Sequence, residues 1–206
     1  MSQGLSEVAT FNAGTISDSS HLGTIFVGSQ GKWVANYDSY PDGVIPQRNL
    51  TGYAVGSNGV IFGPQGGLRA SVSHLSNYIQ MLSNGGETKE GTRVLQPSSV
   101  EEMLRPRYQY HGAKHGPVND FHLYGLGLYT TTYRVNDNVI PHSTVRGHIG
   151  SAYGLISAYY FWGNYTLTYI VNGALHGYTY GTGTIYEKER LLIHEAVDNF
   201  TKAYKR

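Results

Sequence analysis

The chain has 206 residues, with 15 basic and 14 acidic side chains, a net charge of +1 and no cysteine. This length supports one domain with a hydrophobic core, and the absence of a basic run argues against a nucleic-acid partner. Without cysteine, disulfides and thiolate chemistry are excluded. No stretch approaches the ~20 apolar residues that span a bilayer, so the sequence predicts no membrane segment. The sequence assigns no compartment.

The first sixty or so residues are rich in glycine, serine, asparagine and aspartate, a composition typical of loops. Two short apolar runs, Gly23–Val27 and Lys32–Ala35, flank the turn-like triplet Ser29-Gln30-Gly31. Segments of this kind around a glycine-containing turn predict a small β-hairpin.

Two helices are predicted next. From Ser71 the apolar residues are spaced by three and four, with Ser71 or Ser73 as N-cap and Gly85-Gly86 as the stop. The residues of this apolar face are Val72, Leu75, Tyr78, Ile79 and Leu82. A shorter helix is predicted to start at Pro97, with Ser98 as its cap, and to end before Pro106.

The second half of the chain predicts a sheet and a final helix. Residues 107–122 are interpreted as a long loop, and four strand-like segments follow it: Leu123–Val135, Val145–His148, Ser151–Trp162 and Tyr165–Asn172. Gly163-Asn164 is a two-residue hairpin connection, and the helix predicted from Tyr186 to Tyr204 can cover one face of the sheet. We therefore expect an α+β fold in a single region, 1–206, with loops and helices over 1–110 and an antiparallel sheet with the terminal helix over 111–206.

One short motif carries most of the functional information. Gly147-His148-Ile149-Gly150 precedes an apolar, tyrosine-rich run, and Gly66-Gly67-Leu68 lies upstream at the entrance to the first predicted helix. In this order and separation the two landmarks resemble the C-terminal part of the serine β-lactamase, DD-peptidase and esterase family. The resemblance implies an incomplete β-lactamase/transpeptidase-like fold: an antiparallel sheet with its C-terminal helix, plus part of a helical subdomain.

The resemblance also implies roles for the motif residues. The family combines S-x-x-K, a Y-x-N element and a K-T-G or H-x-G triplet on an edge strand, and His148-Ile149-Gly150 matches the third. His148 would then be the catalytic residue that binds substrate and the developing oxyanion, beside substrate-binding residues Gly147, Ile149, Gly150 and Ser151. Ile149 replaces the usual Thr or Ser, which favours an esterase, amidase or peptidase over a true β-lactamase. No metal or organic cofactor is implied.

The family's other two motifs have no convincing match. Gly4-Leu5 and Thr10-Phe11-Asn12 resemble the segment just after the second motif, which implies that the chain begins downstream of the nucleophile. Ser29-Gln30-Gly31-Lys32 spells S-x-x-K, but it predicts a turn entering a strand and not a helix start. We therefore expect the C-terminal portion of a serine hydrolase that acts on a small or peptide amide or ester through an acyl-enzyme and is inactive alone. It would need a complementary N-terminal chain or self-association.

Two alternatives remain open at this stage. The chain could be an inert binding or interaction module that keeps the family's cleft without its nucleophile. The histidines of the long loop, His111, His115 and His122 with Asp120, could chelate a metal, although Gly112 and Gly116 argue against a helix there and favour a surface loop. Tyr37-Asp38-Ser39 could be a Y-x-S element, but a loop tyrosine is the better interpretation.

Overall fold

A computed structural model of the chain describes residues 9–57, 67–109, 123–131, 139–141, 143–175 and 187–204. Within these ranges the protein has mixed α+β content, with three helices, a six-stranded sheet and a three-stranded sheet. The α+β class is therefore confirmed, while the β-lactamase-like form of it stays a prediction. None of the helices in the described ranges has the length and apolar character needed to cross a membrane.

The predicted hairpin is confirmed. Strands β1 (Ile25–Ser29) and β2 (Lys32–Tyr37) pair antiparallel, and the turn residues Gln30 and Gly31 have φ of 50° and 74°. Positive φ at both central positions matches the right-handed twist of the flanking strands, which explains the glycine.

A further strand joins this hairpin. Strand β9 (Gly173–Leu175) pairs parallel with β1, giving the order β2-β1-β9, which we call the small sheet. The sequence analysis did not predict β9. A three-residue strand whose partner lies almost 150 positions away leaves no local signal.

The first helix forms where the apolar spacing predicts it. Helix α1 spans Val72–Ser83, and the backbone N–H of His74 donates to Ser71 Oγ at 3.2 Å, which identifies Ser71 as the N-cap. The stop is also confirmed, since Gly85 and Gly86 take φ of 64° and 93°. A left-handed backbone at the C-terminal end is inexpensive only for glycine.

The second helix starts as predicted, but its cap is different. Helix α2 spans Pro97–Leu104 with Pro97 in the first turn, and Gln96 is the N-cap without a side-chain hydrogen bond. The prediction that Ser98 caps this helix was therefore wrong, because proline at the first helical position removes an N–H that would need a cap. Helices α1 and α2 share a buried core whose members include Ile79, Leu82, Val100, Leu128 and Phe161.

The larger sheet, which we call the large sheet, has the strand order β3-β4-β5-β6-β7-β8. Its strands are β3 (Tyr108–Gln109), β4 (Leu123–Tyr124), β5 (Tyr129–Thr131), β6 (Val145–Ala152), β7 (Leu155–Trp162) and β8 (Tyr165–Val171). The successive pairs from β3 to β6 are antiparallel. The two-residue connections around Tyr153-Gly154 and Gly163-Asn164 continue the meander, as predicted for the second of them.

Three predicted strand boundaries were wrong. Tyr108 and Gln109 form a strand where a loop was predicted, because they pair with Tyr124 and Leu123. The segment predicted as one strand from Leu123 is divided by a turn, in which the Gly125 N–H donates to the Leu128 carbonyl at 2.7 Å. The motif strand continues through His148 to Ala152, and the chain reverses only at Tyr153, with φ of 59°.

The terminal helix is confirmed. Helix α3 spans Glu187–Tyr204, and Ile193 is buried against the core of the large sheet. Val197 lies beside it, and the core partners include Tyr129, Val145, Ala158 and Tyr160. This apolar contact is what holds the helix on the sheet.

The chain divides into two compact units that do not follow its predicted halves. Unit 1 collects residues 1–75, 150–157 and 170–176. Unit 2 collects residues 76–149, 158–169 and 177–206. Each unit draws on both halves of the sequence, and the interpretation of the chain as one β-lactamase-like region stays a prediction.

Tyr159 of unit 2 makes the protein sensitive to alkaline pH. Burial raises the pKa of Tyr159 above its ordinary value of 10.0, with a smaller contribution from Tyr78, whose ring lies edge-on at 6.1 Å. The folded protein thus keeps a proton that the unfolded chain loses, so its stability is complete below about pH 10 and falls as pH rises further. Urea unfolding over an alkaline pH series should show a shallower loss for Tyr159→Phe; equal slopes in the two proteins would contradict the assignment.

Candidate functional site

His148 lies on β6 in unit 2, at the point where one side of the strand loses its partner. Strand β5 pairs with Val145, Arg146 and Gly147, and no described strand continues this ladder past Gly147. In this antiparallel register the residues that would continue the ladder are those before Tyr129, and they lie in the turn in which the Gly125 N–H donates to the Leu128 carbonyl. The motif strand is therefore internal in the sheet order of the described residues, and not the edge strand that the resemblance implied.

The imidazole of His148 is held at both nitrogens. Nδ1 lies 2.5 Å from the carbonyl oxygen of Ile149, and Nε2 lies 3.1 Å from Tyr124 Oη. Because a carbonyl oxygen only accepts, Nδ1 must donate, and in the neutral ring Nε2 then accepts the Tyr124 hydroxyl proton. In this tautomer Nε2 is the acceptor nitrogen of the ring.

Aromatic rings enclose this imidazole. The rings of Tyr124 and Tyr129 lie 5.9 Å and 5.6 Å from it, and Tyr129 Oη donates to Tyr160 Oη at 3.3 Å. Tyr129 and Tyr160 are buried, whereas His148 is half-buried. A half-buried imidazole among rings is partly shielded from water, which strengthens any hydrogen bond that it makes to a developing charge.

The neighbours of His148 have different environments. A Cβ added to Gly147 would lie 2.0 Å from the backbone oxygen of Tyr159, so this glycine is required by strand packing. Ile149 packs against the core of unit 2, in the cluster that also contains Tyr124 and Tyr129. In unit 1, Gly150 faces the hydroxyl of Ser157 and Ser151 is exposed.

The resemblance rests on sequence landmarks, chiefly Gly66-Gly67-Leu68 and Gly147-His148-Ile149-Gly150. No family model, curated protein or solved structure matches the chain significantly. The family assignment and the roles that it implies for Gly147 through Ser151 are therefore proposals.

The S-x-x-K sequence does not form a nucleophile site. Ser29 ends β1 and precedes the hairpin turn, and Lys32 begins β2, so neither residue starts a helix. The interpretation as a turn entering a strand is confirmed. Ser29 and Lys32 are both exposed at the end of the hairpin. An exposed serine at this position lacks the enclosed environment in which a neighbouring base activates a nucleophile.

The Tyr37-Asp38-Ser39 segment has a packing role in unit 1. The ring of Tyr37 stacks on Tyr153 at 4.6 Å, and the carboxylate of Asp38 binds the Arg69 guanidinium through both oxygens, at 2.8 Å and 2.9 Å. Tyr40 Oη also donates to Asp38 at 3.1 Å. Asp38 is therefore engaged in an ion pair, which the sequence analysis missed because Arg69 follows it by 31 positions.

A cavity of about 470 Å³ lies in unit 1 beside this ion pair. Its wall is mostly apolar, with Ile25, Leu68, Leu155 and Ile170 among its residues. Arg69 and Asp38 reach the same wall but neutralise each other. The cavity therefore suits an uncharged apolar group better than an ion.

The possible metal ligands His111, His115, Asp120 and His122 lie outside the described residues. Among the residues that the structure describes, no group of three or more histidines and carboxylates could hold a metal ion. The hydrogen bond from Tyr124 to His148 was also missed from sequence, since the two residues are 24 positions apart and meet only through the pairing of β4, β5 and β6.

Proposed function

We propose that this chain is the C-terminal portion of a β-lactamase-like serine hydrolase, in which β6 binds an amide or ester substrate during acyl transfer. The observation that supports the proposal is the hydrogen-bonded pair of Tyr124 and His148, located where β6 loses its partner strand. Neither residue is the nucleophile, which an upstream segment with S-x-x-K would supply.

The pair has the chemistry that acyl transfer requires. Attack on an ester or amide carbonyl places a negative charge on its oxygen, and a positioned hydrogen-bond donor stabilises that charge. His148 is fixed by the Ile149 carbonyl through Nδ1, so its Nε2 is held in place facing an oxygen atom. In the doubly protonated ring, with Nδ1 still donating to the Ile149 carbonyl, Nε2 would donate to a substrate oxygen that takes the place of the Tyr124 hydroxyl.

The backbone of β6 adds a binding surface for an extended substrate. Among the described strands, β5 pairs with β6 only as far as Gly147, and a peptide-like acyl chain would bind to β6 beyond that point in the manner of an added strand. His148 is the first residue after the β5 pairing ends. The substrate class that fits is an extended amide or ester.

Covalent labelling with a fluorophosphonate probe and a fluorescent penicillin tests the proposal. The chain alone should not be labelled, whereas coexpression with the coding segment immediately upstream should give labelling of a serine in that segment. His148→Ala should slow this labelling about 100-fold, as for loss of an oxyanion donor. His21→Ala, which removes an exposed histidine of unit 1, is the matched control and should label at the parent rate.

Two results would count against the hydrolase. Labelling of this chain alone would place a nucleophile within it, and the probe-bearing peptide would identify the serine. Labelling of neither segment would favour the second function, an inert binding module, for which the unit 1 cavity and its neutralised ion pair are the supporting observation. That module should bind small uncharged apolar ligands, measured by ligand-detected NMR.

A further inference from the structure

Helix α3 has a second apolar face that is largely exposed and is distinct from the face that carries Ile193. Ile193 is buried in the core, whereas Leu192 and Phe200 are 66% and 45% exposed. Ala196 and Ala203 are exposed too. These residues follow one another at intervals of four, four and three, so they form one stripe along the helix, which we call the outer stripe.

The outer stripe borders a shallow groove of unit 2. The groove has a volume of about 230 Å³ and lies between α3 and β8, with Trp162, Tyr165, Leu167, Ala196, Val197 and Phe200 in its wall. Tyr165 is 48% exposed and meets the edge of the Phe200 ring at 5.6 Å. An exposed apolar stripe beside an aromatic groove is typical of a protein interaction surface.

We propose that the occupant of this surface is the outer stripe of a second copy of the chain, packed antiparallel across a two-fold axis. The proposal is independent of the hydrolase function. It rests on two forms of self-complementarity along α3, one of side-chain size and one of charge, which specify the same axis.

Side-chain size gives the first position of the axis. In an antiparallel pair of helices, two residues at equal distances on either side of the two-fold axis lie opposite each other across the interface. Ala196 of one copy therefore faces Phe200 of the other when the axis passes level with Asp198. The small alanine then leaves room for the ring of the partner's Phe200, twice by symmetry, and the groove beside Ala196 extends that space. Alternation of small and large residues on facing positions is how helices interdigitate.

Charge gives the second position. Glu195 and Lys202 are exposed and lie on the same flank of the outer stripe. Glu195 of one copy faces Lys202 of the other when the two-fold axis passes midway between these two positions of the helix. This axis position differs from the one given by Ala196 and Phe200 by half a residue, which is less than ~1 Å along the helix. Each dimer would therefore contain two Glu195–Lys202 ion pairs, and a parallel arrangement would bring like charges level instead.

Charge reversal with rescue tests this arrangement. In sedimentation equilibrium the parent chain should form dimers with a dissociation constant in the micromolar range, as expected for a small interface. Glu195→Lys or Lys202→Glu alone should raise that constant about tenfold or more, because both ion pairs become repulsive. The double variant Glu195→Lys/Lys202→Glu should return to within about threefold of the parent, because the pairs form again in reverse.

The controls separate this interface from other causes of association. Glu101→Lys makes the same charge change on the exposed surface of α2 and should leave the constant unchanged. Leu192→Glu should give monomers with the parent's circular dichroism spectrum. Three results would overturn the proposal: a monomer at all concentrations, a double variant that associates as weakly as the single variants, or dimers that are unaffected by all three α3 substitutions, Leu192→Glu, Glu195→Lys and Lys202→Glu.

Discussion

Gly147→Ala should destabilise the protein by about 3 kcal/mol, the cost expected when a side chain is forced into a packed interior and the backbone must move. The added Cβ would lie 2.0 Å from the Tyr159 carbonyl oxygen and 2.9 Å from Cδ1 of Tyr160. Neither atom can move aside cheaply, because β7 has a neighbouring strand on both sides in the large sheet and Tyr160 is fully buried. Urea unfolding followed by Trp162 fluorescence should show a midpoint lower by about 1 to 2 M.

Gly150→Ala is the matched substitution three residues along the same strand. Here the added Cβ would meet the Ser157 hydroxyl at 2.6 Å, while the Ser157 Cβ is 3.9 Å away. The obstacle is thus a rotatable hydroxyl, and the cost should be about 1 kcal/mol or less. Gly150→Ala/Ser157→Ala should recover the parent midpoint. Similar losses for Gly147→Ala and Gly150→Ala would contradict the distinction.

These substitutions separate two meanings of the glycines that bracket His148. The resemblance implied a binding role for both, because glycine lets a substrate approach the strand closely. The contacts show that Gly147 allows β6 and β7 to lie close together. Replacing it should therefore reduce the stability of the fold, whether or not a ligand is bound. Gly150 is not needed for the packing of β6 against β7. A substitution at Gly150 can therefore be used to measure an effect on substrate binding in a protein that still folds.

Local pattern was sufficient to predict the helices. The apolar spacing from Val72 and the Gly85-Gly86 stop predicted α1, and the segment predicted as a helix from Tyr186 to Tyr204 contains α3, because such signals lie within a few turns of the residues that they order. Sequence could not tell which apolar stripe faces the sheet, since that depends on where the sheet lies.

Features that depend on distant pairing were missed. Strand β9 needs β1, the Tyr124 hydroxyl reaches His148 only when three strands align, and Tyr153 takes a left-handed turn conformation that its residue type does not suggest. His148 was identified because its motif is local. Its hydrogen-bond partner was not, because antiparallel pairing fixes contacts whose sequence separation no motif encodes.

Asp38→Asn should be the second most damaging of these substitutions, with a loss of about 3 kcal/mol. Asp38 and Arg69 are 8% and 14% exposed and share a two-pronged hydrogen-bonded ion pair. The asparagine keeps the size and can still accept from Tyr40 Oη, but it leaves the guanidinium charge poorly solvated and without a counterion. Thermal and urea unfolding of the variant measure the loss directly.

Glu87→Gln is the matched control, because it removes the carboxylate charge from an exposed ion pair. Glu87 and Arg93 are 41% and 38% exposed, so water replaces the lost partner and the cost should stay below about 1 kcal/mol. Equal losses of unfolding free energy for Asp38→Asn and Glu87→Gln would mean that burial does not determine how much the Asp38–Arg69 ion pair contributes to stability.

The double variant Asp38→Asn/Arg69→Met decides why the single substitution is damaging. Methionine keeps an apolar side chain of similar length over the Tyr37 ring, which lies 5.6 Å from the guanidinium, and it removes the stranded charge. If the loss comes from that charge, the double variant should recover at least half of it, because a buried ion pair can often be replaced by apolar packing at little cost. If the loss comes from the hydrogen bonds themselves, the double variant should be as unstable as Asp38→Asn, or more so.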